Sequence, residues 1–136
     1  SLIQNPKENN MKFECKHLSY SCADIKAMKE FYADKLGLEL LDNGEHFFAV
    51  RAGDVRFSFF AGGKKYPIAD DSAGMGIILK TDNVNDARAF VLSKDITLLN
   101  DIVEAPNFMK FFTLEDPDGN MVHIGEYLAD PFLKKI

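Results

Sequence analysis

The chain has only two cysteines among its 136 residues, and no apolar run of transmembrane length. Cys15 and Cys22 lie close together on what reads as one extended segment, which makes a mutual bridge geometrically poor. The reading is therefore two reduced thiols in a cytoplasmic protein. No Cys-x-x-Cys motif and no neighbouring base points to a reactive thiol. Clustered positive charge is also missing. Lys64-Lys65 and Lys134-Lys135 are isolated pairs, and the net charge is −5. Nucleic acids and anionic membranes both require concentrated Lys and Arg, so neither is an expected partner. The N-terminal stretch has no secretory apolar segment. Residues 1–10 are polar and aperiodic, and Met11 reads as the natural start. That stretch is expected to be a flexible leader or a remnant of expression.

What is present is a pattern of short strands and two amphipathic helices. Residues 12–22 alternate, with Phe13, Cys15, His17 and Ser19 on one face and Leu18 and Tyr20 on the other. Asp24 is placed to cap a helix reaching about Leu36, its apolar side made of Ile25, Met28, Phe31, Tyr32 and Leu36. Gly37 stops it. Strands are expected over Leu38–Leu41, His46–Ala52 and Val55–Ala61, joined by the turns Asp42-Asn43-Gly44 and Ala52-Gly53-Asp54. A Gly/Asp-rich connection over 62–74 follows. The order then recurs. A strand spans Met75–Thr81, and a helix capped by Asp82 or Asn83 runs to about Lys94. Strands follow over Ile96–Asn100, Phe108–Leu114 and Asn120–Tyr127, then a tail over 129–136.

The recurrence holds position by position. Ile25 aligns with Val84 and Phe31 with Phe90, since 84 − 25 and 90 − 31 both give 59. At the hairpin ends Ser58 aligns with His123, where 123 − 58 gives 65 and loop lengths absorb the difference. Internal repetition is an architectural signal. It predicts an α+β domain over 11–128 built of two tandem βαβββ modules, about 12–62 and 74–128, forming a half-barrel cleft.

Alternation also sorts the strand faces. With Gly53-Asp54 as a two-residue turn, Phe48, Val50, Val55, Phe57 and Phe59 share a wholly apolar face suited to pack under a helix. Phe47, Ala49, Arg51, Arg56, Ser58 and Phe60 share the other. Guanidinium groups between aromatics read as a binding surface or as an ordinary solvated sheet face. Exposed Phe47 and Phe60 favour the first. In the last strand Val122 and Ile124 oppose His123, Met121, Gly125 and Tyr127. Both His17 and His123 are therefore expected to point away from the helices. The run Glu115-Asp116-Pro117-Asp118-Gly119-Asn120 before His123 is a tight hairpin, with Pro117 presetting φ and Gly119 accepting a left-handed backbone.

His17 followed by Asp24, the pattern Phe31-Tyr32 with Leu36-Gly37-Leu38, and the closing Glu115–Asn120 run, all within a doubled βαβββ unit, resemble the vicinal oxygen chelate superfamily. This is the group of glyoxalase I, bleomycin-resistance proteins, fosfomycin-resistance enzymes and extradiol dioxygenases. The resemblance covers about residues 12–127. It implies two modules cupping a small molecule, and a homodimer that shares sites across its interface. It also implies up to four metal-ligand positions, which fall on His17, Ser58, Gly76 and His123. Only the two histidines are ligand-capable. Ser58 is a poor ligand and Gly76 has no side chain. A third ligand would have to come from His46, Glu104 or Glu126.

Two readings follow from the resemblance. One is a binding protein without a complete metal site, holding a small, anionic ligand against Phe13, Phe47, Phe60, Met121 and Tyr127 and the guanidinium of Arg51 or Arg56. No cofactor is expected there. The other is a metal-dependent lyase, isomerase or dioxygenase with Zn, Ni, Mn or Fe on His17 and His123, or a metal-free version using either histidine as general acid or base. A regulatory dimer module is a third class, on which the sequence is silent.

Overall fold

The computed structural model describes residues 11–63 and 76–133. The leader 1–10, most of the connection between modules and the last three residues lie outside the described residues. The first module comprises β1 (His17–Cys22), a helix α1 (Ile25–Lys29) that continues as a π-helix (Glu30–Lys35), β2 (Glu39–Asn43), β3 (Phe47–Ala52) and β4 (Val55–Ala61). The second comprises β5 (Ile77–Lys80), α2 (Val84–Ser93), β6 (Leu98–Ala105), β7 (Met109–Glu115) and β8 (Met121–Tyr127). The two sheets have the same topology, β1-β4-β3-β2 and β5-β8-β7-β6, and neither closes into a barrel. In each, the first strand runs parallel to the last and the remaining pairs are antiparallel. The tandem βαβββ modules predicted from the repeat are therefore the architecture.

The helices begin where the sequence places caps. Asp24 and Asn83 each accept a hydrogen bond from the backbone three residues on, at Ala27 and Asp86, 3.0 Å in both cases. These bonds satisfy amides that the helix cannot pair itself. The π-helical stretch is not visible in the periodicity. There the Leu36 amide reaches back five residues to Phe31 O at 2.9 Å. The wider turn lets consecutive Phe31 and Tyr32 both be buried, at 5% and 0% exposure. Gly37 then takes φ +79°, a backbone that ends the helix at little cost only for glycine.

Two strand expectations are corrected. The first strand starts at His17, not at residue 12, because β4 begins at Val55 and offers no partner further back. Phe13 consequently lies outside the sheet and is 85% exposed. The sixth strand extends to Ala105 instead of stopping at Asn100. Register shifts between Leu98 and Asn100 and between Asn100 and Val103 break its alternation, which hid its length.

One hydrophobic core joins the modules. Phe48, Val50, Phe57 and Phe59 of the first sheet and Phe112, Leu114, Val122 and Ile124 of the second belong to the same cluster, with Met28, Tyr32, Val84 and Val91 from the helices. Phe59 is its aromatic centre, stacked on Phe48 at 4.5 Å and on Tyr20 at 5.1 Å. Burying each such ring contributes about 1.5–3 kcal/mol. The helix-side faces of the sheets therefore look toward each other, and each open face lies on the far side.

Candidate functional site

In the first module, β1 and β4 align Ser19 with Ser58, which sets His17 diagonally across from Ser58 on the open face. His17 Nε2 and Ser58 Oγ are 2.7 Å apart. Arg56 Nε donates to the same oxygen at 3.0 Å. A hydroxyl has one proton and two lone pairs. Accepting from Arg56 leaves the hydroxyl its proton and one lone pair, so it either donates to His17 Nε2 or accepts from it, according to the tautomer of the ring. Ser58 is buried while His17 is exposed, so the pair forms a floor with one wall open to ligand.

The second module repeats this geometry with different chemistry. Ile78 aligns with His123, as Ser19 does with Ser58. Gly76 therefore stands where His17 does. A Cβ on Gly76 would lie 3.3 Å from His123 Nε2, so the imidazole occupies the space a side chain would take. Thr113, directly opposite on β7, places Oγ1 2.8 Å from His123 Nδ1. The edge of Phe111 meets the same ring, with centroids 5.7 Å apart. Burial lowers the His123 pKa from its usual 6.5, so the ring is neutral at physiological pH.

The structure thus pairs the four predicted positions two by two, His17 with Ser58 and Gly76 with His123. The two pairs stand on separate open faces. Arg51 shares the first face, but its Nε is 3.3 Å from Glu39. It also lies directly across from Arg56. Phe47 and Phe60 stack across the β3–β4 pair at 6.1 Å, and Phe60 is 45% exposed. On the second face Met121 is exposed and Tyr127 packs edge-on against Phe108.

The possible third ligands go elsewhere. His46 is exposed in the β2–β3 hairpin beside Glu45, Glu104 pairs across from Lys110, and Glu126 accepts the Val84 amide at 2.9 Å to cap α2. Among the described residues no three His, Cys, Asp or Glu side chains cluster as a metal site. Within the chain, a dication near His17 would meet a serine hydroxyl already accepting from a guanidinium. Near His123 it would meet a glycine. Neither donor set supplies the negative charge or the ligand number that catalytic divalent metals take. These residues do not fit a metal.

Three residues have a role that the sequence does not show. Asp116 and Asp118 are 2% and 1% exposed, and Tyr32 donates to Asp116. Turn composition explains the two aspartates locally and the apolar helix face explains Tyr32, and only the packing of the β7–β8 turn against the first module's helical segment gives them their larger role. Cys22 is buried and burial pushes its thiol up to about 12, which leaves it unreactive.

The family model of the Glyoxalase/Bleomycin resistance protein/Dioxygenase superfamily matches residues 15–124, and the chain belongs to that superfamily. No curated protein matches it. Among solved structures it is similar to an integron cassette protein from Vibrio cholerae, with 28% identity, a TM-score of 0.65, and 86% of this chain and 98% of that one covered. It is similar to a glyoxalase family protein from Enterococcus faecalis at 21% identity and TM-score 0.71, covering 83% and 97%. It also resembles a lactoylglutathione lyase from Agrobacterium tumefaciens at 18% identity and TM-score 0.66, covering 83% and 92%. The last two likenesses carry the fold alone.

Proposed function

We propose that the protein is a small-molecule-binding member of the superfamily that takes an anionic ligand on the open face of its first sheet. The observation that carries this is the His17–Ser58–Arg56 cluster. Arg56 lies across from a second arginine, and among the described residues it has no carboxylate partner. Opposed like charges on a sheet face are unfavourable. A carboxylate or phosphate seated on Arg56 would relieve that and be held by charge-assisted bonds. Phe47 and Phe60 offer the adjoining apolar platform, and the exposed His17 ring a further polar contact. A homodimer would set the second face of one copy, with His123, Thr113, Met121 and Tyr127, over the first face of the other. The two free thiols, Cys15 exposed and Cys22 buried, support a cytoplasmic location. A metal-dependent lyase, isomerase or dioxygenase would need ligands that Ser58 and Gly76 do not supply.

A thermal-shift screen of small aliphatic and aromatic carboxylates and phosphates tests the reading, with Arg56→Ala and Phe60→Ala as controls. At least one acid should raise the melting temperature of the natural protein and fail to do so in Arg56→Ala. If no acid stabilises the protein, or the best one acts equally on Arg56→Ala, the anionic site is wrong.

A further inference from the structure

The two modules are copies, yet they do not close on each other alike. Phe31 and Phe90 are equivalent in the repeat, but Phe31 is 5% exposed and Phe90 44%. The hairpins explain the difference. The β7–β8 turn reaches across to the first module's helix, where Tyr32 of the π-helical stretch donates to Asp116 and the Ala23 amide, just before α1, donates to Asp118 at 2.7 Å. The equivalent β3–β4 turn is only Gly53-Asp54, and among the described residues no side-chain hydrogen bond ties it to α2. Val91, the counterpart of Tyr32, has no hydroxyl to offer. At this end the modules are left with a cleft of about 580 Å³ between them. Leu38, Val55 and Phe57 form one wall, and Leu79, Phe90 and Ile124 the other. That size suits a small organic ligand. Lys80 is the one charged side chain among the described lining residues. Its ammonium has three protons, and one goes to Asp82 at 2.9 Å.

The geometry points to a second ligand site in this cleft, separate from the first sheet's open face, for a monocarboxylate with an apolar body such as a medium-chain fatty acid. The chain would lie between the leucine and phenylalanine walls, where water has few polar partners. The carboxylate would meet the remaining Lys80 protons at the rim. Its apolar length supplies the affinity and Lys80 supplies the preference for acid over alcohol. Lys80 leaves β5 across from Gly125, on the side of the second open face, and meets the cleft at the edge of the sheet. The site uses no residue of the first open face, so it stands or falls independently of the anionic site on Arg56.

Isothermal titration of the full chain with decanoate, below its micelle concentration, and with decanol as the neutral counterpart tests it. Decanoate should bind saturably, one molecule per chain. Lys80→Met should weaken decanoate at least tenfold and leave decanol unchanged. Ala87→Phe, which builds into the cleft from α2, should abolish both. Leu38→Phe fills it from the opposite wall, should Ala87→Phe prevent folding. Arg56→Ala should leave both titrations as they were. Unsaturable binding, indifference to the filling variants, or loss in Arg56→Ala instead would overturn the site.

Discussion

Tyr32 Oη donates a 2.6 Å hydrogen bond to Asp116 Oδ2, linking the π-helical turn of the first module to the last hairpin of the second. Both groups are buried. Asp116 Oδ2 also accepts from Asn120 Nδ2, and Oδ1 accepts the amides of Asp118 and Asn120. Burial raises the Asp116 pKa from its usual 3.8, against the pull of these donors. The residue is thus the acceptor hub of the interface between the modules.

Removing one donor from a charged, buried acceptor costs about 1.5–3 kcal/mol. Tyr32→Phe should lose that much stability in urea unfolding at pH 7, with an unchanged m-value. Asp118→Ala strands the Ala23 amide and should cost about 1–3 kcal/mol. A loss below about 0.5 kcal/mol for both would mean that the hairpin does not fasten the modules.

His123 makes stability depend on pH in one direction. Its folded pKa lies below the unfolded 6.5, so below that pH the unfolded chain takes up the proton more readily. The stabilisation is complete above pH 6.5 and is lost as pH falls through the depressed value. Urea midpoints of the natural protein should therefore drop between pH 7.5 and 5. In His123→Gln the drop should be smaller. Asp116 acts oppositely. Its contribution is greatest below pH 3.8 and fades as pH rises through its raised value.

Ser58→Glu would put a carboxylate beside His17 Nε2, where the natural serine takes a bond from Arg56. Supplying the missing charge should raise Zn²⁺ affinity by at least tenfold in calorimetric titration, and His17→Ala in that background should remove the gain. Equal affinity before and after Ser58→Glu would show that charge at this position is not what limits metal binding.

Much of the fold was legible because its signals are local. Strand alternation, the two caps, Gly37 and the hairpin residues each act within a few positions, and the repeat then fixes the order. The face assignments of β3 and β4 were legible for the same reason: once Gly53-Asp54 is the turn, Phe47 must oppose Phe60 and Arg51 must oppose Arg56. The π-helix, the bulges of β6 and the true start of β1 depend on partners distant in sequence and left no periodic trace. The site was half legible. His17, Ser58, Gly76 and His123 could be placed by register, but the Arg56 bond to Ser58 and the Thr113 bond to His123 are side-chain choices that periodicity does not encode. The distribution of the four positions over two opposite faces follows from how the modules share a core, which only tertiary packing decides.

The parallel pairing of β1 with β4 also has a kinetic side. The strands β2, β3 and β4 follow one another through short turns, whereas His17 meets Arg56 only after the intervening helix and hairpins are in place. Loop closure over such separations is the slow part of assembling a sheet. We expect pulse-labelled hydrogen exchange during refolding to protect the β3–β4 amides before those of β1. Simultaneous protection would contradict this order. On that order the His17–Ser58 contact is among the last to form, so a ligand seated on it would slow unfolding more than it speeds folding.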